Sequence, residues 1–96
     1  MNLEVTESAA EVLQRSLKLG GIDPGSGGIR LRGAHSLGGG FEVQVELAAG
    51  PEEGDQVVET GGLRLFIEPA VGEGMPDAIV DLELQHDIVT VKPATP

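Results

Sequence analysis

The chain contains no cysteine. Disulfides, thiolate nucleophiles and thiolate metal ligands are therefore all excluded from its 96 residues. It has no tryptophan and no tyrosine, and Phe41 and Phe66 are its only aromatics. Its core has to be aliphatic, and the β-branched share of its Val, Leu, Ile and Ala favours strands. So few aromatics also make a poor wall for a small-molecule pocket. Positive charge is scarce. Six Lys and Arg stand against sixteen Asp and Glu, for a formal net charge of −10. Such a surface repels phosphate backbones and anionic headgroups, so neither nucleic acid nor membrane is an expected partner. Solubility and attraction to basic partners are the direct consequences. No run approaches the roughly eighteen apolar residues of a membrane span. The opening Met1-Asn2-Leu3-Glu4-Val5 lacks the basic and apolar regions of a signal peptide, which makes the cytoplasm the expected location. The length fits one domain, residues 1–96, with a tail from about residue 93.

What is present is a clear succession of short elements. Leu3-Glu4-Val5 reads as a strand. Thr6 or Ser8 then offers an N-cap, and Ser8 with Glu11 matches a capping box. Ala9, Val12, Leu13, Leu17 and Leu19 recur at helical spacing, with Glu11, Gln14, Arg15 and Lys18 between them. This pattern predicts an amphipathic helix from about residue 7 to 19, stopped by Gly20-Gly21. Ile22 to Gly27 is rich in turn formers. Ile29-Arg30-Leu31-Arg32 alternates and reads as a strand. The stretch Gly33 to Gly40 reads as a bent or flexible connection. Phe41 to Leu47 is apolar at every odd position, the pattern of a half-buried strand with a charged outer face. An acidic turn with Pro51 follows. Gln56 to Glu59 and Leu63 to Ile67 are strands joined as a hairpin through Thr60-Gly61-Gly62. A connection with a helical turn near Pro69-Ala70-Val71 leads to two last strands, Ala78 to Leu84 and Ile88 to Val91, around the turn Gln85-His86-Asp87. Pro93 to Pro96 is a tail that does not readily join a ladder. One helix and about seven short strands predict an α+β fold, its mixed or antiparallel sheet folded over on itself or curled into a distorted barrel.

Catalytic constellations are weak. Gly38-Gly39-Gly40 follows a strand, but a strand and not a helix comes next, so the anion cradle of a phosphate loop is missing. Ser8 caps and Ser16 lies on the helix, while Ser26 and Ser36 fall in loops. His35 and Ser36 are chain neighbours, which point apart on extended backbone and make no dyad. No pair among the sixteen carboxylates stands out for acid–base work. An enzyme is not expected. His35 and His86 with Glu42, Glu83 or Asp87 could form a weak nitrogen–oxygen metal site, but no HxH or HExxH spacing supports one.

Three stretches, in this order, resemble the HesB-like or IscA-like A-type iron–sulfur carrier family. Leu3-Glu4-Val5-Thr6-Glu7-Ser8-Ala9-Ala10, a strand running into a capped helix, is similar to that family's "(I/V)-T-x-x-A-A" opening. Gly28-Ile29-Arg30-Leu31, then the glycine-rich stretch and Phe41-Glu42-Val43, follows its "G-(L/I)-R-(L/I)", "G-C-(S/A)-G" and strand. The acidic turn Pro51-Glu52-Glu53-Gly54-Asp55, a strand, Gly61 and the strand Leu63 to Ile67 complete the likeness, which runs to about Val91. The resemblance implies a HesB-like fold and a role near iron–sulfur biogenesis. It also implies three cysteine ligands, and here the sequence departs from it. The first of those positions matches Gly38, and the C-terminal "C-G-C" has no counterpart in Lys92-Pro93-Ala94-Thr95-Pro96. Iron–sulfur clusters need thiolates, or a mixture with imidazole. The expectation is a carrier fold with no cluster, no catalytic residue and no metal ligand. Such a protein would act as a binding or adaptor protein on iron–sulfur assembly components or on itself as a homo-oligomer. The alternatives are an interaction module that reuses the fold without an iron role, and a weak His/carboxylate metal binder.

Overall fold

The structure is a computed structural model and describes residues 2–23, 25–35, 38 and 40–94, with His35 described by its backbone alone. The element order is β1 (Asn2–Val5), α1 (Glu7–Leu19), β2 (Gly28–His35), β3 (Phe41–Ala48), β4 (Gln56–Thr60), β5 (Leu63–Ile67), α2 (Pro69–Gly74), β6 (Asp77–Glu83) and β7 (Ile88–Pro93). The strands form two mixed sheets. One has the order β3-β2-β5-β4, with β2 and β5 parallel and the outer pairs antiparallel. The other has the order β1-β6-β7, with β1 parallel and β7 antiparallel to β6. Among the described residues the two sheets pack together without closing into a barrel. At one seam β3 packs beside β7 with no ladder between them.

Helix α1 begins and ends where its local chemistry says it should. Of the two candidate caps, Thr6 is the one used: its backbone is extended and its hydroxyl accepts from the Ala9 N–H at 3.3 Å. Ser8 is already inside the first turn, so the Ser8–Glu11 capping box does not form. The Thr6 hydroxyl also donates to Asp81 Oδ1 at 3.0 Å, which ties the start of the helix to β6. At the other end Gly21 is left-handed, with φ +68°. The Ile22 N–H reaches the Leu17 carbonyl at 3.0 Å and the Gly21 N–H reaches that of Lys18 at 3.2 Å. These two bonds are a Schellman closure, and the positive φ is what glycine supplies there. The inner stripe Ala9, Ala10 and Leu13 packs with Ile29, Leu31, Leu65 and Val80 in one aliphatic core shared by both sheets.

Three expectations about the strands need correction. The glycine-rich stretch is not all connection, because β2 continues through Gly33, Ala34 and His35, which pair with Val43, Glu42 and Phe41. A side chain at position 33 would crowd the Phe41 ring, since an added Cβ comes within 3.0 Å of Phe41 Cε2. Pro93 is not outside the ladder. It pairs with Ala78 at the end of an edge strand, where its missing N–H costs nothing, and the Ala94 N–H donates to Asp77 at 2.9 Å. The turn near Pro69 is a full short helix, with proline in its first turn. The β4–β5 hairpin has two loop residues, Gly61 and Gly62, both at positive φ, as a primed turn requires.

Gly28 packs directly on the backbone of β5, and a Cβ there would lie 2.2 Å from the Arg64 carbonyl oxygen. Gly28→Ala should therefore destabilise the chain by about 2–3 kcal/mol, the range for overpacking against atoms that cannot move aside. Urea unfolding with an unchanged m-value would measure it.

Candidate functional site

The residues singled out in the sequence lie at two ends of β3. At one end stands Gly38, exposed in the turn between β2 and β3, where an added Cβ meets no described atom within 4 Å. The Phe41 ring braces this end, lying against Gly33 on β2 and Gly74 at the close of α2. Ser36, and so the His35–Ser36 pair, falls outside the described residues.

His86 is at the other end. It is exposed in the β6–β7 turn, with Nδ1 2.7 Å from Glu83 Oε1. The next two residues, Asp87 and Ile88, line the same groove as Val45 and Leu47. Leu47 pairs with Ile29, six residues along β2 from His35. Six strand residues span about 20 Å, so the backbone at His35 is far from the turn that carries His86. The fold thus separates the two histidines proposed for a joint metal site. Among the described residues no group of three or more His, Asp and Glu comes together in a way that could hold a metal ion.

The polar arrangement that the sequence did not disclose is centred on Arg30. Alternation places Ile29 and Leu31 in the core and Arg30 on the opposite face of β2. That face is covered, and Arg30 is only 5% exposed. Its guanidinium is hydrogen-bonded to Asp55, whose side chain is completely buried. Glu52 lies 3.2 Å and Glu68 3.6 Å from the same guanidinium. Glu46 bridges to Arg32 at 3.0 Å and lies 3.9 Å from Arg30. Asp55 also accepts the Glu52 N–H at 2.8 Å, which closes the acidic turn on itself. Burial by itself would lower the Arg30 pKa, but the hydrogen bond to Asp55 and the charges of Asp55, Glu52 and Glu68 outweigh it and raise the pKa. A raised arginine stays charged through the neutral and mildly alkaline range, so the stability it confers is lost only in strong base. The sequence signal for this site was a strand arginine followed by a turn with three acids, Glu52, Glu53 and Asp55.

No protein-family model and no curated protein sequence matches the chain. Solved structures do. The crystal structure of Escherichia coli SufA, involved in biosynthesis of iron–sulfur clusters, superposes with a TM-score of 0.79 at 22% identity, over 99% of this chain and 82% of that one. The crystal structure of IscA with a [2Fe-2S] cluster gives 0.74 at 21% identity, over 94% and 81%. The solution structure of a protein from Aquifex aeolicus gives 0.70 at 23%, over 94% and 89%.

The chain has the fold of the A-type iron–sulfur assembly proteins. Its donor set does not fit the [2Fe-2S] cluster found in the IscA structure. A [2Fe-2S] centre is held by thiolates with at most some imidazole, and these 96 residues offer no thiolate and two separated histidines. Gly38, which the sequence resemblance sets against a cysteine, has no side chain to donate.

Two outcomes are expected. Asp55→Ala leaves the Arg30 charge buried without its nearest partner and should cost about 3–5 kcal/mol, whereas Arg30→Met with Asp55→Leu should recover most of that loss. Chemical denaturation of the single and double variants would show it. Gly38→Cys should change stability by less than about 0.5 kcal/mol, as a surface substitution does. Its thiol should alkylate at the rate of a free cysteine, followed by mass spectrometry.

Proposed function

We propose that this chain is a non-catalytic binding or adaptor protein connected with iron–sulfur biogenesis that holds no cluster of its own. One observation carries the reading: an A-type fold over 99% of the chain, in a sequence with no cysteine. SufA and IscA share the scaffold at 21–22% identity, so what is common is shape and not chemistry. A protein of this shape can present a carrier-like surface to an assembly component, or to a cluster-bearing relative, without competing for iron. The reading places the protein in the cytoplasm by default, and no described helix is long and apolar enough to cross a membrane. The rival reading is an interaction module that has reused the fold with no iron role. The two differ in their partners.

An anaerobic pull-down on the full chain tests this function. The expected result is recovery of iron–sulfur assembly components or cluster proteins. Recovery only of proteins unrelated to metal metabolism would favour the reused module. Incubation with ferrous iron and sulfide under reducing conditions should leave the chain without the visible charge-transfer absorption of a cluster.

A further inference from the structure

We infer that the end of the molecule opposite Gly38 is a docking surface for a short basic amphipathic helix of a partner protein. Four of the five large apolar side chains that the described residues leave exposed belong to this end: Leu19, Leu47, Leu84 and Ile88. Leu47 and Ile88 line one groove of about 480 Å³, whose other wall is Val12 and Ser16 of α1. Leu19 stands exposed at the last position of the helix, next to Gly20, where an added Cβ would come within 2.6 Å of the Leu47 side chain. Leu84 opens the turn that returns to Ile88, since Glu83 and Ile88 are paired. Exposure of 84% at Leu19, 77% at Leu84 and 51% at Ile88 is a large apolar cost for so small a chain.

The charge of the groove selects the occupant. The ionisable residues lining it are Glu46 and Asp87, and none is basic. Glu46 is already held by Arg32, while Asp87, in the left-handed region at φ 53°, faces the groove from the turn. An apolar floor beside the Asp87 carboxylate, with no basic residue in the lining and on a chain of net charge −10, matches an apolar face flanked by Lys or Arg. A second copy matches it poorly, because a two-fold contact would bring this lining against itself. Recognition by strand addition is also disfavoured, since β3 and β7 pack beside each other and cover these edges. That leaves a helix laid in a groove, read through its side chains. This surface deepens the binding-protein reading above and rests on it.

The probe is a synthetic helical leucine–lysine peptide of about four turns, with a leucine–glutamate counterpart as control. Titrated into the isotope-labelled full chain, the lysine peptide should shift the amide resonances of Val12, Ser16, Leu47, Asp87 and Ile88. Ile88→Ser should raise Kd about tenfold. Asp87→Asn, which keeps the left-handed preference and removes the charge, should raise it about threefold at low salt. Val57→Ser, an exposed apolar site on the far edge strand, should leave it unchanged. If Ile88→Ser does not fold, Leu47→Ser, exposed in the same groove, reads the apolar contribution. Equal binding of the glutamate peptide, shifts spread over other acidic faces, or sedimentation as a dimer that buries these residues would each overturn the inference. Peptide bound at this groove with no assembly component in the pull-down would overturn the iron–sulfur reading and leave the docking surface standing. The converse result would do the reverse.

Discussion

A cation cannot be taken out of water without an anion to meet it, and this constraint organises one whole face of the molecule. Strand β2 is the second strand of the four-stranded sheet, between β3 and β5, and its inner residues Ile29 and Leu31 are fully buried. Arg30, between them, points the other way into a layer that is also closed to solvent. Asp55 meets it there and fixes the acidic turn; Glu68, the residue before α2, meets it from another side. One guanidinium thus gathers a strand, a turn and the start of a helix. Phe66, fully buried and paired with Arg30 across the parallel ladder, fills the apolar part of the same layer. Such a cluster need not add much net stability, because desolvation offsets most of the attraction. What it does is make any other arrangement of these three segments costly.

The two ends of β3 have different characters. At the Gly38 end the Phe41 ring lies against Gly33 and Gly74. The Leu47 end is an apolar groove walled by a helix, with Asp87 and Glu46 in its lining. The chain shares its fold with SufA and IscA but has no thiol anywhere, so what it has in common with them is the scaffold and its surfaces. The net charge then narrows which partners those surfaces can meet.

Elements closed by local chemistry were legible in the sequence. The boundaries of α1 follow from Thr6 at one end and Gly21 at the other, each satisfying backbone groups within a few residues. The β4–β5 hairpin follows from Gly61-Gly62, and the alternation of β3 from Phe41 to Leu47 follows from burial of one face. Elements closed by a distant partner were not legible. The extension of β2 to His35 depends on what β3 offers across the ladder, and the pairing of Pro93 depends on β7 being an edge. The division into two sheets rather than a barrel depends on seams between strands far apart in the chain.

The candidate sites divide in the same way. Composition alone determined the absence of thiolate chemistry, because a missing element cannot be supplied by folding. Composition likewise determined the acidic surface and the aliphatic core. The burial of Arg30, the separation of His35 from His86 and the groove that Leu47 shares with Ile88 were decided only by the tertiary structure. Each depends on which strand lies beside which, and on what covers the outer face of a sheet. Sequence periodicity assigns a residue to a face. Whether that face meets water is set by the segments packed against it.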